Sequence, residues 1–241
     1  MSLRTAFLFR DDAYLQSTPA RVIEINDRNG IVLDRTVFYA TSGGQPGDSG
    51  RLRRAGGEVA IATTVHPGDK NEIVHVPAEG ASLPEPGEEL TAEIDWARRL
   101  KLMRMHTAMH LLTVVCPFPI TGAAVGEDKG RIDFAMETAP DREEIEARLN
   151  ELVTANHPVS SEWITDDELE ANPGLIKSLH VAPPKGMGRV RLVRIGTRDA
   201  PVDLQPCGGT HVRATGEIGR LTIGKIESKG RENRRVPILF A

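Results

Sequence analysis

Aromatic side chains are scarce in this 241-residue chain, at 4% of residues, and cysteine occurs only twice, as Cys116 and Cys207. Leu, Val, Ile and Ala must therefore fill the core, and at most one disulfide can form. A chain of this length buries enough surface to fold without such a staple, so both thiols are expected to be reduced. No apolar run approaches the ~18 to 20 residues that span a bilayer. The longest, Leu111 to Cys116, is interrupted by Thr113. The first ten residues, Met-Ser-Leu-Arg-Thr-Ala-Phe-Leu-Phe-Arg, turn acidic without an apolar leader, so a cytoplasmic protein with no membrane role is expected.

Excess positive charge is missing as well: the formal net charge is −4, which argues against a uniform nucleic-acid coat. The charge is unevenly spread. From His180 onward 12 Lys and Arg face 5 Asp and Glu, a net of +7, so residues 1–179 carry −11. Such asymmetry points the C-terminal part toward a polyanion, with a solvated basic face as the plainer explanation.

What the chain does contain is breakers, 23 Gly and 16 Pro, which predict many turns and argue for mixed α and β structure over a helical bundle. Two β-rich runs between residues 21 and 37 flank Asn29-Gly30, a pair suited to positive φ, and predict a hairpin. Val59 to Val65 and Glu72 to Val76, separated by His66-Pro67-Gly68-Asp69, extend the β pattern. Residues 77–90 are rich in Pro, Gly and Glu and mark an expected boundary between a domain at 1–90 and another at 91–241.

Asp95 is placed to cap a helix that runs through Trp96, Leu100, Met103, Leu111 and Val114 until Pro117. The turn Gly-Glu-Asp-Lys-Gly precedes a strand at Arg131 to Met136. A second helix is expected over 141–155, where Ile145, Leu149, Leu152 and Val153 form an apolar stripe. Thr165 and Glu168 form a capping-box pattern for a short helix ended by Asn172-Pro173. Strands are expected again at 189–195, 220–227 and 235–240. The expected fold class is α+β: a small β-barrel-like N-terminal domain, then a two-layer α/β sandwich with an antiparallel sheet.

The chemistry concentrates in two short motifs. His106-Thr-Ala-Met-His110 puts two imidazoles on one helix face, about 5 to 6 Å apart. Cys207-Gly-Gly-Thr-His211 repeats the four-residue spacing, with glycines that can let the backbone turn tightly. One Cys and three His suit Zn²⁺, and in a reducing compartment the two halves together predict one shared zinc ion per chain. A His-rich site in a chain that needs no staple favours catalysis over structure. The spacing leaves open whether all four coordinate or His211 sits outside and orients a water. His66, His75, His157 and His180 have no partner spacing and read as structural or solvated. Cys116, in an apolar run before Pro117, reads as core.

The paired motifs resemble the editing domain of alanyl-tRNA synthetase and its free-standing relatives, the AlaX trans-editing proteins. Residues 36–50, Thr-Val-Phe-Tyr-Ala-Thr-Ser-Gly-Gly-Gln-Pro-Gly-Asp-Ser-Gly, are similar to the family's glycine-rich loop, and Arg131-Ile-Asp-Phe resembles its central strand motif. With no aminoacylation module and an end at Ala241, the chain is similar to the medium-length AlaX class. The resemblance implies a zinc-dependent deacylase for mischarged alanine tRNA, carrying serine or glycine, with nucleotide binding implied by resemblance only. It also puts Gly43, Gly44, Gln45 and Asp48 beside the terminal nucleotides.

Thr107, between the two helical histidines, is the candidate reader of the serine hydroxyl. A buried group that needs that hydroxyl can reject alanine; the plainer reading is a back-bond within its own helix. Related editing domains carry an acidic residue two positions before the cysteine, where this chain has Gln205. An amide can orient water or substrate but cannot act as a base. Asp203 points to the same side of an extended segment. The basic run Lys225, Lys229, Arg231, Arg234 and Arg235 is a candidate tRNA contact, interleaved with Glu227 and Glu232. Competing readings are a zinc-containing RNA-binding module without turnover and a zinc amidohydrolase of small acylated molecules. The sequence leaves monomer or weak dimer open.

Overall fold

The computed structural model describes residues 5–68, 71–179 and 188–241; Asp69 and His180 lie outside them. The chain divides into two compact units, Met1–Leu100 and Lys101–Ala241.

The first unit is built on a closed six-stranded barrel. Its strands, in order around the barrel, are Ser17–Ile25, Ile31–Leu33, Val74–Pro77, Gly57–Val65, Gly50–Arg54 and Glu89–Ile94. Closure leaves no barrel edge to pair with another chain. Alternation along Ser17–Ile25 and Gly57–Val65 sends Ala20, Val22, Val59 and Ile61 inward with Leu33, Leu52, Phe38 and Leu90. The expected hairpin is present: Ile25 pairs with Ile31, and Asn29 takes a φ of 61° in the turn. The last barrel strand, Glu89–Ile94, runs across the position expected for a domain boundary, because the breaker-rich segment before it leads back to the barrel.

Helix α1, Trp96–Val115, follows directly, and the division between the units falls within it. Asp95 caps it by accepting from the Arg98 N–H at 3.1 Å, and the helix stops two residues before Pro117.

In the second unit the strands form two antiparallel sheets rather than one. The larger orders Leu221–Ile223, Asn233–Phe240, Lys129–Ala135 and Ile120–Ala124, with Glu227–Ser228 also on Asn233–Phe240. The smaller orders Val159–Ile164, Val190–Gly196 and Pro201–Pro206. Gly130 lies under α1, where an added Cβ would come within 2.8 Å of both the Met105 and Met109 sulfurs. A side chain there would crowd the helix that carries the two histidines.

Helix α2, Arg142–Thr154, is capped by Asp141 and buries Ile145, Leu149 and Val153 of the expected stripe, while Leu152 is half-buried. Helix α3, Asp166–Glu170, has the full Thr165–Glu168 capping box. Among the described residues no helix is long and apolar enough to cross a membrane.

Candidate metal and active site

One face of α1 carries His106 and His110, and the loop after Pro201–Pro206 brings Cys207 and His211 to it. The four donor atoms lie within 4.8 Å of one another. Cys207 Sγ is 3.5 Å from His106 Nε2 and 3.3 Å from His211 Nε2. With Zn–N of about 2.0 to 2.1 Å and Zn–S of about 2.3 Å, a tetrahedral ion separates its donors by about 3.5 Å. The donor set fits one zinc, and the two Cys207 separations match that spacing. His106, His110 and His211 are each 6% exposed and Cys207 is half-buried, so the cluster is largely shielded from solvent.

The loop closes by hydrogen bonding, not by the backbone freedom expected of its glycines. Neither Gly208 nor Gly209 has positive φ. Instead the Gly209 N–H donates to Cys207 Sγ at 3.4 Å. Arg191, on the neighbouring strand, donates to the carbonyls of Cys207 and Gly209 at 3.1 and 3.0 Å, while the Cys207 N–H donates to Arg191 O at 3.0 Å.

A surrounding layer of hydrogen bonds selects which nitrogen each imidazole offers. His110 Nδ1 donates to Asp203 Oδ2 at 3.1 Å, which turns Nε2 inward. His211 Nδ1 lies 3.1 Å from Thr107 Oγ1, again leaving Nε2 for the cluster. Such outer partners fix tautomer and ring orientation at metal sites.

The Thr107 hydroxyl donates to Met103 O at 2.9 Å and accepts from the Val212 N–H at 3.3 Å, so its present partners all lie within the protein. Gln205 Nε2 donates to Asp203 Oδ2 at 2.7 Å and to Thr113 Oγ1 at 3.3 Å. Asp203 thus faces the same side as Gln205, as strand alternation requires, and its other oxygen meets the ammonium of Lys177.

The electrostatics follow from these contacts. Burial opposes charge on Cys207, but the imidazoles of His106 and His211 outweigh it and hold the thiol well below its ordinary value. Burial likewise opposes charge on His110, yet hydrogen bonds to Asp203 and Cys207 raise it to about 9. His211 is lowered to about 3 by burial and by the neighbouring His106 and His110. Asp203 is held down at about 2, against burial, by His110 and Lys177. A thiolate is the form a metal binds, and any proton on His110 must leave for it to ligate.

The other candidates lie apart from this cluster in their bonding. Gly43 and Gly44 have φ of 56° and 83° at the tip of a tight turn closed by reciprocal Ser42–Gln45 backbone bonds. Gln45 is buried beneath that tip. Asp48 is 1% exposed, and its carboxylate is taken by the buried Arg99, with Nε at 3.0 Å from both oxygens, and by the Tyr39 N–H at 2.6 Å.

In the basic run, Arg235 makes a two-pronged pair with Asp133, Arg234 bonds to Gly230 O and Asn233 O, and Lys229 pairs with Glu227. Lys225 and Arg231 are exposed, and no ion pair involves either among the described residues. His66 meets Glu72 O, the fully buried His75 lies between Thr36 and Ile31 O, and His157 is half-buried. Cys116 is buried, and burial pushes its thiol up to about 11, as a core cysteine should behave.

Sequence reasoning missed Lys177 and Arg191. Neither carries a signal in spacing or motif: each matters through the carboxylate or carbonyl that the fold brings to it.

Comparison with known proteins follows the same division. Residues 190–236 match the threonyl and alanyl tRNA synthetase second additional domain, and residues 12–98 match the class II (A) tRNA synthetase family. The chain is 42% identical over 234 residues to the alanine–tRNA ligase of Pyrobaculum aerophilum, covering 93% of the chain and 25% of the ligase. It thus spans a quarter of the length of the ligases it matches. It is 37% identical to the alanyl-tRNA editing protein AlaX-M of Methanosarcina acetivorans, covering 96% of the chain and 97% of that protein. The AlaX-M protein of Saccharolobus solfataricus is 31% identical, again with 97% of its length covered.

Proposed function

The chain belongs to the AlaX-M family of alanyl-tRNA editing proteins, and from that premise we propose that it is a trans-editing hydrolase that cleaves serine from mischarged alanine tRNA. The observation that carries the proposal is the four-donor cluster, with one nitrogen of His110 and His211 turned inward by Asp203 and Thr107. His106, His110, Cys207 and His211 would hold one Zn²⁺, which supplies Lewis-acid polarisation of an ester carbonyl or a more acidic water.

An aminoacyl ester is already activated, so much of the rate can come from positioning. Gln205 has its amide N–H groups committed to Asp203 and Thr113. We assign its remaining Oε1 to orienting the attacking water, since an amide cannot take the proton. Thr107 is assigned to the serine hydroxyl, which requires its hydroxyl to exchange the Met103 O bond for one to substrate. An alanine ester would leave that position unpaired, a discrimination of order 10⁴ or more.

The Gly43-Gly44-Gln45 turn is assigned to the terminal nucleotides, where a tip without side chains admits close approach of phosphate or ribose. Asp48 supports that loop through Arg99. Lys225 and Arg231, with the more constrained Lys229, Arg234 and Arg235, are assigned to the tRNA backbone.

The test is deacylation of serine-charged and alanine-charged alanine tRNA side by side. Loss of serine with alanine retained is expected. Binding of the tRNA with neither ester cleaved, even in single turnover at saturating protein, would move the chain to a zinc-containing RNA-binding module.

A further inference from the structure

Lys177 comes from a short segment pinned on both sides to the edge of the larger sheet. The Ile120 N–H donates to Lys177 O, and the Leu179 N–H donates to Ile120 O, both at 2.9 Å. From there the side chain crosses to two other elements. Its ammonium meets Asp203 Oδ1 on the strand Pro201–Pro206 and Thr113 Oγ1 on α1, the latter at 2.9 Å. Thr113 in turn donates to His110 O at 2.8 Å. The Asp203 side chain is fully buried, whereas that of Lys177 keeps 26% of its surface.

We propose that Lys177 is a positioning residue for the metal centre, clamping Asp203 so that a single carboxylate oxygen faces His110 Nδ1 and Nε2 is fixed toward the cluster. A carboxylate with both oxygens free can rotate, and either oxygen can then engage His110. With Oδ1 held by the ammonium, only Oδ2 remains, shared between His110 at 3.1 Å and Gln205 at 2.7 Å. Lys177 therefore acts on both groups at once: it sets the imidazole of a metal donor and the amide assigned to water. Its bond to Thr113 anchors the same ammonium one turn along the helix from His110, so the clamp and the histidine move together. This inference rests on the proposed metal-dependent reading of the site, but it concerns metal retention first and turnover second.

The test compares the full-length parent with Lys177→Met, Lys177→Arg, Asp203→Asn and the Lys177→Met/Asp203→Asn double variant. Zinc affinity is measured by competition with a chromophoric chelator, alongside thermal unfolding and the kcat and KM for serine-charged tRNA. Loss of an outer-layer partner costs about 10- to 100-fold in metal affinity. Lys177→Met is expected to fall in that range, with kcat reduced and KM little changed. Lys177→Arg, which keeps a cation, should recover most of the loss, so the proposal stays testable if the Met variant folds poorly. The double variant should be no worse than Asp203→Asn, because Lys177 works through Asp203.

Parent-like zinc affinity in Lys177→Met, or additive losses in the double variant, would overturn the proposal. A parent that binds zinc but cleaves neither ester would defeat the editing function while leaving the affinity test of Lys177 intact.

Discussion

In each unit a buried carboxylate is held by a buried or half-buried cation, Asp48 by Arg99 and Asp203 by Lys177, and these two pairs do different things. Asp48, in the barrel unit, is 1% exposed and satisfied entirely from within: by Arg99 and by the Tyr39 N–H, while Arg99 also donates to the carbonyls of Val37 and Ala13. Every bond in that network ends on the protein. Asp203, in the second unit, is clamped by Lys177 on one side but passes its other oxygen to His110, whose remaining nitrogen faces three more metal donors. That network ends on atoms able to take something from outside. Burial and ion pairing alone do not single out a candidate site; a chain of bonds that ends on a cluster of metal-ligating atoms does.

The sharpest way to break this comparison is to remove a terminal donor. Cys207→Ala should abolish stoichiometric zinc binding and lower serine deacylation by at least about 100-fold, more than an outer partner costs. Its barrel should unfold as in the parent, as followed by metal analysis and urea unfolding. Asp48→Ala should do the reverse. Stranding the buried Arg99 guanidinium is expected to cost about 3–5 kcal/mol of stability, with metal content per folded chain unchanged.

A smaller effect comes from the barrel's buried histidine. Burial, opposed by the bond to Ile31 O, lowers His75 to about 4 from 6.5. The unfolded chain therefore binds a proton that the folded chain refuses between these values, so stability is lost as pH falls through that window. The loss between pH 7.5 and 5 should be about 2 kcal/mol, and His75→Gln should flatten it in urea titrations at the two pH values.

Thr107→Val should reduce cleavage of serine-charged tRNA while zinc per chain stays at the parent level, the metal analysis controlling for the loosened His211. A Val variant that cleaves the serine ester at the parent rate would reassign Thr107 to holding that ring alone. The smallest effect is expected on the basic run. Lys225→Gln with Arg231→Gln should weaken tRNA binding, and each phosphate left without its cation should lower the salt slope by about 1, while Arg235→Gln, already tied to Asp133, should change it less.

Much of this was readable from local rules. Asp95, Asp141 and Thr165–Glu168 marked three helix starts because capping is a contact between near neighbours. Asn29-Gly30 marked its hairpin for the same reason. The cluster of His106, His110, Cys207 and His211, which could hold a metal ion, was visible because two four-residue spacings state their own geometry.

Long-range features were not legible. Glu89–Ile94 closes the barrel against Ser17–Ile25, a pairing that no local pattern near residue 90 announces. The strands Ile120–Ala124 and Val159–Ile164 escaped because Gly and Ala in the first and Ser and Glu in the second mask their alternation, and the extended segment around Asp203 becomes the strand Pro201–Pro206 only through its pairing. The glycines of Cys207-Gly-Gly-Thr-His211 suggested a tight turn, but nothing local announced that Arg191 holds the loop by its carbonyls. Lys177 and Arg191 became functional candidates only once their partners were seen in space.

The most direct measurement of the central claim is zinc content and serine deacylation on one preparation, before chelation, after chelation and after zinc is restored. One zinc per chain, with activity that disappears on removal and returns on addition, is the predicted result. Serine deacylation that persists at the parent rate in the zinc-free protein would contradict it.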